Sequence, residues 1–152
     1  FDTFEGMTEP TEFDVASKTK EHAFGKYKRS QLDTHNDWCF ASLEDVQDNC
    51  KKSGLRVEDF KFIKGDVCKT LLEKQNLPHE ISVLRLDTDW YESTKVELET
   101  LYPILNVGGV LIIDDYGHWE GARKAVDEYF SILDYKPLFN VTDYTGRSAI
   151  KM

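Results

Sequence analysis

Cysteine is scarce, long apolar runs are missing and positive charge is outnumbered; each shortage removes a class of protein. The three cysteines, Cys39, Cys50 and Cys68, form no CxxC pair, and their odd number leaves one unpaired in any disulfide scheme. They read as reduced thiols in or near the core of a cytoplasmic protein. No apolar run approaches the roughly 20 residues that a transmembrane helix needs, which argues against a membrane partner. Lys and Arg number 19 against 28 Asp and Glu, a formal net charge of −9. Nucleic-acid binding rests on clustered Lys and Arg, so that balance argues against it. The basic stretch Lys26-Tyr27-Lys28-Arg29 is too short to reverse the balance and reads as a solvated loop. Internal repeats and low-complexity segments are absent as well. The chain opens Phe1-Asp2-Thr3-Phe4-Glu5-Gly6 with neither an initiator Met nor a signal peptide, and reads as a piece of a longer chain.

What is present is a folded domain or part of one. The 152 residues are 40% hydrophobic and 31% charged, enough for a real core. Two segments dominate: Ile81-Ser82-Val83-Leu84-Arg85-Leu86-Asp87-Thr88-Asp89-Trp90-Tyr91 and Val110-Leu111-Ile112-Ile113-Asp114-Asp115-Tyr116. In each, a run dense in Ile, Leu and Val stops abruptly at carboxylates, as a buried parallel strand does when it delivers acids to its carboxyl end. Open α/β sheets bind their ligands in the crevice at that end.

The rest of the chain alternates. Residues 1 to about 41 lack periodicity and read as loop with short helical pieces. Ser42-Leu43-Glu44-Asp45 resembles a capping box opening a helix with Leu43, Val46 and Cys50 on one face and Gly54 as its C-terminal cap. Phe60-Lys61-Phe62-Ile63-Lys64 predicts a strand ending at Gly65-Asp66, followed by a short helix around Lys69 to Lys74 and a break at Pro78. Thr94-Lys95-Val96-Glu97 reads as a second capping box, with Leu98, Leu101, Tyr102 and Leu105 on one face of the helix it starts. Ala122, Ala125, Val126, Tyr129 and Phe130 mark another amphipathic helix, and Tyr135 to Met152 alternates as a hairpin turning at Tyr144-Thr145-Gly146-Arg147. The pattern is a doubly wound α/β sheet with an antiparallel C-terminal edge in a single domain, residues 1–152.

Four carboxylates from two strand ends, Asp87, Asp89, Asp114 and Asp115, repel one another, and a cation is the simplest thing that would hold them together. Mg²⁺ takes oxygen ligands and keeps positions for water or substrate oxygens. The competing reading makes some of them helix caps, which Asp after a strand often is. Asp66 and Asp2 carry the same ambiguity: each acid follows a strand, where it could meet a nucleotide-like cofactor or only cap the backbone. His118 lies just beyond the acid pair, and Trp90, Tyr91, Tyr116 and Trp119 bracket the same place, as a substrate wall or as core. The residues expected to touch substrate are Glu5, Trp90, Tyr116 and His118.

Three blocks in this order carry a resemblance: Asp2-Thr3-Phe4-Glu5-Gly6-Met7-Thr8-Glu9-Pro10-Thr11, Leu84 to Thr94, and Ile113-Asp114-Asp115-Tyr116-Gly117-His118-Trp119, with Gly121 to Tyr129 continuing the last. Together they resemble the macrocin O-methyltransferase family, whose members methylate sugar hydroxyls of macrolide and aminocoumarin natural products with S-adenosylmethionine and Mg²⁺. The resemblance implies a Rossmann-like class I methyltransferase sheet and a small sugar-bearing substrate. By position it implies Asp87, Asp114 and Asp115 as metal ligands, Asp89 as general base, Asp2 at the cofactor ribose and Asp66 near its adenine. It also implies that the family's first strand and the glycine-rich loop after it lie upstream of residue 1. The sheet expected here therefore lacks that strand, and its exposed edges invite pairing into a homo-oligomer.

Two other readings compete. Asp87-Thr88-Asp89 is also the DxD of metal-dependent glycosyltransferases, but that leaves Asp114-Asp115 and the opening block unexplained. A truncated, catalytically silent module is the reading from another class. Isothermal titration calorimetry separates the enzymes: the methyltransferase reading expects S-adenosylhomocysteine to bind and UDP not to, and UDP binding alone would reverse it.

Overall fold

The computed structural model describes all 152 residues, Phe1–Met152. Five helices and four strands follow one another as α1 (Phe24–Arg29), α2 (Leu43–Lys52), α3 (Val67–Thr70), β1 (Ile81–Leu86), α4 (Tyr91–Leu101), β2 (Leu105–Ile113), α5 (Glu120–Ser131), β3 (Asn140–Val141) and β4 (Arg147–Ile150). The sheet runs in the order β1-β2-β4-β3. β1 and β2 are parallel, while β4 is antiparallel to both β2 and β3, so the expected antiparallel C-terminal edge is present. Asp143 closes that hairpin, its Oδ1 accepting from the Thr145 amide at 2.8 Å and the Gly146 amide at 2.7 Å.

Helices α4 and α5 lie on one face of the sheet. Leu84 and Leu86 of β1, Leu111 and Ile113 of β2, Leu98 and Leu101 of α4, and Val126 and Phe130 of α5 form its core, with Val67 and Leu71 at the side. The opposite face is open. Val83 is 60% exposed and Ile150 54%, so burial in β1 alternates where a strand covered on both faces would be buried throughout. The α/β sheet with its antiparallel C-terminal edge is as expected, but the doubly wound arrangement is not present in this chain, because helices cover only one face.

Several local expectations change. Phe60–Lys64 forms no strand, because a strand needs a partner along its length and only Asp2 runs beside it. The Asp2 amide donates to Ile63 O at 3.1 Å, the Gly65 amide donates to Asp2 O at 2.9 Å, and pairing stops there. α3 begins at Val67, earlier than expected, because Asp66 accepts from the Cys68 amide and caps it. α4 likewise begins at Tyr91, three residues before the Thr94 capping box, and Glu97 points inward to accept from Thr88 Oγ1 at 2.9 Å. The cap of α4 comes from Asp14, whose Oδ1 accepts from the Tyr91 amide at 2.8 Å across 77 residues. The Ser42 cap, by contrast, is local as expected, with Ser42 Oγ accepting from the Asp45 amide at 3.1 Å.

Residues 3–41 are an excursion of loop and one short helix, tied down by scattered backbone pairs. Gly6 sits at φ +79°, and a side chain there would collide with Asn36 O, since the Asn36 amide donates to Glu5 O and the Met7 amide to Trp38 O. The basic run Lys26–Arg29 is helical, within α1, rather than loop. Three tryptophans, Trp38, Trp90 and Trp119, join the excursion to the sheet in a second small core, with ring centroids 5.1 to 6.0 Å apart. All three cysteines are free; Cys39 is exposed, outside the core expected for it, while Cys50 and Cys68 are half-buried. No helix is long and apolar enough to cross a membrane.

The covered face should dominate stability. Leu111→Ala, at a fully buried site in the central strand, should cost about 2–5 kcal/mol in urea unfolding followed by circular dichroism. Leu138→Ala, at a position 90% exposed, should change it by less than about 0.5 kcal/mol.

Candidate active site

The parallel ladder places the acids. β1 and β2 run in register from Val83↔Val110 to Leu86↔Ile113, and the Asp114 amide extends the pairing by donating to Leu86 O at 3.0 Å. Both chains therefore leave the sheet at one level, and Asp87, Asp114 and Asp115 bring a carboxylate oxygen each to within 4.8 Å of one another. Arg85, on the same strand end, donates from Nη2 to Asp114 Oδ1 at 2.8 Å and reaches Asp87 Oδ2 at 3.0 Å. One guanidinium offsets only part of the charge. Burial pushes the Asp87 carboxyl up to about 6, with Asp114 beside it adding to the rise and Arg85 opposing it. Burial, then the facing Asp89, pushes Asp115 up to about 8. Asp115 Oδ2 is buried without any hydrogen-bond donor. A partly neutralised set of hard oxygens with one orphaned buried acceptor fits a divalent cation.

Asp89 lies beside Asp115 but outside the group of three whose oxygens converge. Its backbone lies at φ +68°, a left-handed conformation that Asp tolerates better than most residues. The Trp90 amide donates to Thr88 O at 2.8 Å, Ser93 Oγ donates to Thr88 O at 3.1 Å, and Thr88 Oγ1 is taken by Glu97, so the turn is held from α4. Trp119 Nε1–H donates to Asp89 Oδ2 at 3.1 Å. Burial raises the Asp89 pKa, while its bonds to Asp115 and Trp119 oppose the rise.

Two cavities meet at that residue. One, of about 270 Å³, is lined by Asp2, Asp66, Asp87 and Asp89 together with Gly65, Thr88 and Cys39. A wider cleft of about 730 Å³ adjoins it and takes in Glu5, Trp90 and Glu92. The other cavity, of about 440 Å³, is lined by Lys26, Trp38, Asp89, Asp115, His118 and Trp119, with Glu21 and His22 at its side. Asp89 is the one residue common to the first and the last.

Most expected site residues are thus brought together. Asp2 and Asp66 line the first cavity, though each also serves the backbone: Asp2 Oδ1 accepts from the Phe4 amide and Asp66 caps α3. His118 faces the last cavity. Trp90 is nearly fully buried, its Nε1–H donating to Thr8 O at 2.9 Å, and it reaches only the wide cleft. Glu5 sits at the outer rim of that cleft, paired with Lys64 at 2.8 Å. Tyr116 lines none of the three. Its hydroxyl donates to Asp127 Oδ1 at 2.9 Å and its ring stacks near Phe139, so it belongs to the packing behind the site. Sequence reasoning missed Lys26 and Trp38, which lie in the aperiodic excursion, and the buried Asp14 and Glu97, whose burial has no local signature. Arg85 carried the one usable signal, a cation inside a mostly apolar strand.

Comparison with known proteins finds relatives along nearly the whole chain. The family model described as macrocin-O-methyltransferase matches residues 1–146. A curated 8-demethyl-8-(2,3-dimethoxy-alpha-L-rhamnosyl)-tetracenomycin-C 4'-O-methyltransferase of Streptomyces olivaceus is 37% identical over 145 residues, covering 95% of this chain and 51% of that protein. The demethyldecarbamoylnovobiocin O-methyltransferase of Streptomyces niveus is 35% identical over 115 residues, covering 75% of this chain and 43% of that protein. Among solved structures, the O-methyltransferase NovP superposes with a TM-score of 0.79 at 31% identity, over 99% of this chain and 57% of that one. The chain spans about half the length of the curated relatives it matches.

The raised carboxyls make stability depend on pH. An acid whose folded pKa exceeds its unfolded value binds more protons folded than unfolded between the two, so the fold loses stability as pH rises through that window. For Asp115 the window runs from 3.8 to about 8, and for Glu97, raised by burial, from 4.5 to about 8. In chelator, the melting temperature should therefore fall as pH rises from about 6 to about 8.5, and Asp115→Asn should flatten that slope. Equal slopes in scanning fluorimetry would show that Asp115 is not the group responsible.

Proposed function

The chain belongs to the macrocin O-methyltransferase family, and we propose that it takes part in S-adenosylmethionine-dependent, Mg²⁺-assisted methylation of a hydroxyl on a sugar or sugar-bearing natural product. The observation that carries the reading is the position of Asp89 between two cavities. A transfer between two bound molecules needs such a junction, with a proton acceptor at it. The family match supports methyl transfer and leaves the glycosyltransferase alternative without support.

The methyl donor is assigned to the cavity of Asp2 and Asp66, whose acids can accept from ribose hydroxyls and adenine. The acceptor is assigned to the cavity of Trp38 and Trp119, where apolar indole surface suits a sugar face and His118 and Lys26 offer donors to its hydroxyls. Asp87, Asp114 and Asp115 would hold Mg²⁺, which would supply positive charge to acidify and orient the acceptor hydroxyl. Asp89 would take the hydroxyl proton as that oxygen becomes the nucleophile toward the methyl group that S-adenosylmethionine would supply, the sulfonium being the leaving group.

Magnitudes show why Asp89 does not act alone. An ordinary aspartate near pKa 4 faces an alcohol near 16, and about 12 units at 1.36 kcal/mol each is roughly 16 kcal/mol. Burial raises Asp89 and narrows that gap in the useful direction. The remainder falls to the charge held by the three acids and to positioning, which can contribute several kcal/mol.

Asp89→Asn should lower kcat by about 100-fold or more while S-adenosylhomocysteine affinity by calorimetry stays within about threefold. Retained turnover would remove Asp89 as the base. Replacing both Asp114 and Asp115 by Ala should abolish metal-dependent turnover, and wild-type activity that is unchanged in chelator would sink the metal assignment.

A further inference from the structure

We propose that Asp14 is a positioning residue, a buried carboxylate that clamps the 3–41 excursion onto the start of α4 and so holds Asp89 where the two cavities meet. Its consequence for turnover rests on the methyl-transfer reading above; the clamp itself rests on geometry.

Asp14 has no exposed surface. Its Oδ2 accepts from the Thr11 amide at 2.7 Å and from Thr11 Oγ1 at 2.9 Å, and its Oδ1 accepts from the Tyr91 amide at 2.8 Å. A buried carboxylate is expensive, and these partners are neutral donors rather than a cation, so the site is built around its acceptor capacity. The Tyr91 amide belongs to the first turn of α4 and has no partner within the helix. Trp90, at the cap position, offers no side-chain cap. Without Asp14 that amide is orphaned in the interior, two residues from the left-handed Asp89.

The surroundings are shaped to this carboxylate. A β-carbon on Gly121 of α5 would collide with Asp14 Oδ1 and crowd the Tyr91 side chain. Backbone pairs flank the clamp: the Ala23 amide donates to Asp14 O at 2.9 Å, the Glu120 amide to Val15 O at 2.9 Å and the Ser17 amide to His118 O at 2.8 Å. One short stretch, residues 14–17, therefore joins the excursion to the chain on both sides of the acid sites. Trp38 enters the acceptor cavity from the excursion and Trp119 from the sheet side, so the wall between them exists only while this joint is closed.

The test uses two variants that perturb the clamp from opposite sides. Asp14→Asn keeps the shape but has one acceptor oxygen, so its amide nitrogen must face either the Thr11 or the Tyr91 N–H. Gly121→Ala keeps the carboxylate and displaces it. All three tryptophans of the chain lie at this joint, so indole emission and acrylamide quenching report its opening. In the intact protein, both variants should keep their far-ultraviolet circular dichroism while emission shifts to the red and quenching increases. Methyl-transfer kcat should fall about tenfold or more, with the KM for S-adenosylmethionine within about threefold. Variants with wild-type emission and with kcat within about twofold would overturn the proposal, even if they melt earlier. Should Asp14→Asn fail to fold, Gly121→Ala decides. A wild type that transfers no methyl group sinks the proposed function, and emission and quenching then decide the clamp alone.

Discussion

The in-register parallel ladder between β1 and β2 is the constraint on which the rest depends. Its last pair, Leu86↔Ile113, makes both strands release their chains at the same level, and the residues that follow are acids on both sides. Neither strand could make the site alone. Hydrophobic packing of Leu84, Leu86, Leu111 and Ile113 against α4 and α5 holds the ladder, so apolar burial supplies the energy that forces carboxylates together. Burial first, and the resulting repulsion after it, raise the pKa values of Asp87 and Asp115, and Arg85 pairs with Asp87 and Asp114. A site assembled against its own electrostatics is ready to accept a cation.

A second layer turns this charged rim into a site with two sides. The excursion of residues 3–41 has little regular structure, yet it supplies Trp38 and Lys26 to one cavity and Thr3, Gly6 and Met7 to the other. It is held by a few specific contacts, the indole cluster and the Asp14 carboxylate among them, rather than by a continuous core. Polar contacts of this kind specify one arrangement at modest net stability, because each buried donor or acceptor is satisfied in that arrangement only.

How far the sequence was legible follows from which interactions are local. The two acidic strand endings were readable because an apolar run of strand length followed by carboxylates is a contiguous pattern. The Ser42 cap and the α5 stripe were readable for the same reason, since caps and helical faces span a few residues. Phe60–Lys64 misled because its alternation is that of a strand while its partner is a single residue. Thr94-Glu97 misled because it has a capping-box spelling while the real cap lies 77 residues upstream. Tyr116 stood beside the acid pair in sequence and turned away from it in space.

The sequence by itself therefore determined the acid inventory, the sheet class and the family, because these rest on residue types in contiguous order. Tertiary structure alone decided that Asp87, Asp114 and Asp115 converge while Asp89 stands at the junction of two cavities. It also decided that Arg85 reaches Asp87 and Asp114, Glu97 reaches Thr88 and Asp14 reaches the start of α4. The physical reason is range. Propensity and periodicity act over a turn or a strand, whereas burial, charge repulsion and the satisfaction of a buried donor are set by whatever the fold brings within a few ångströms. The two acidic endings were visible as parts; only the ladder between them made them one site.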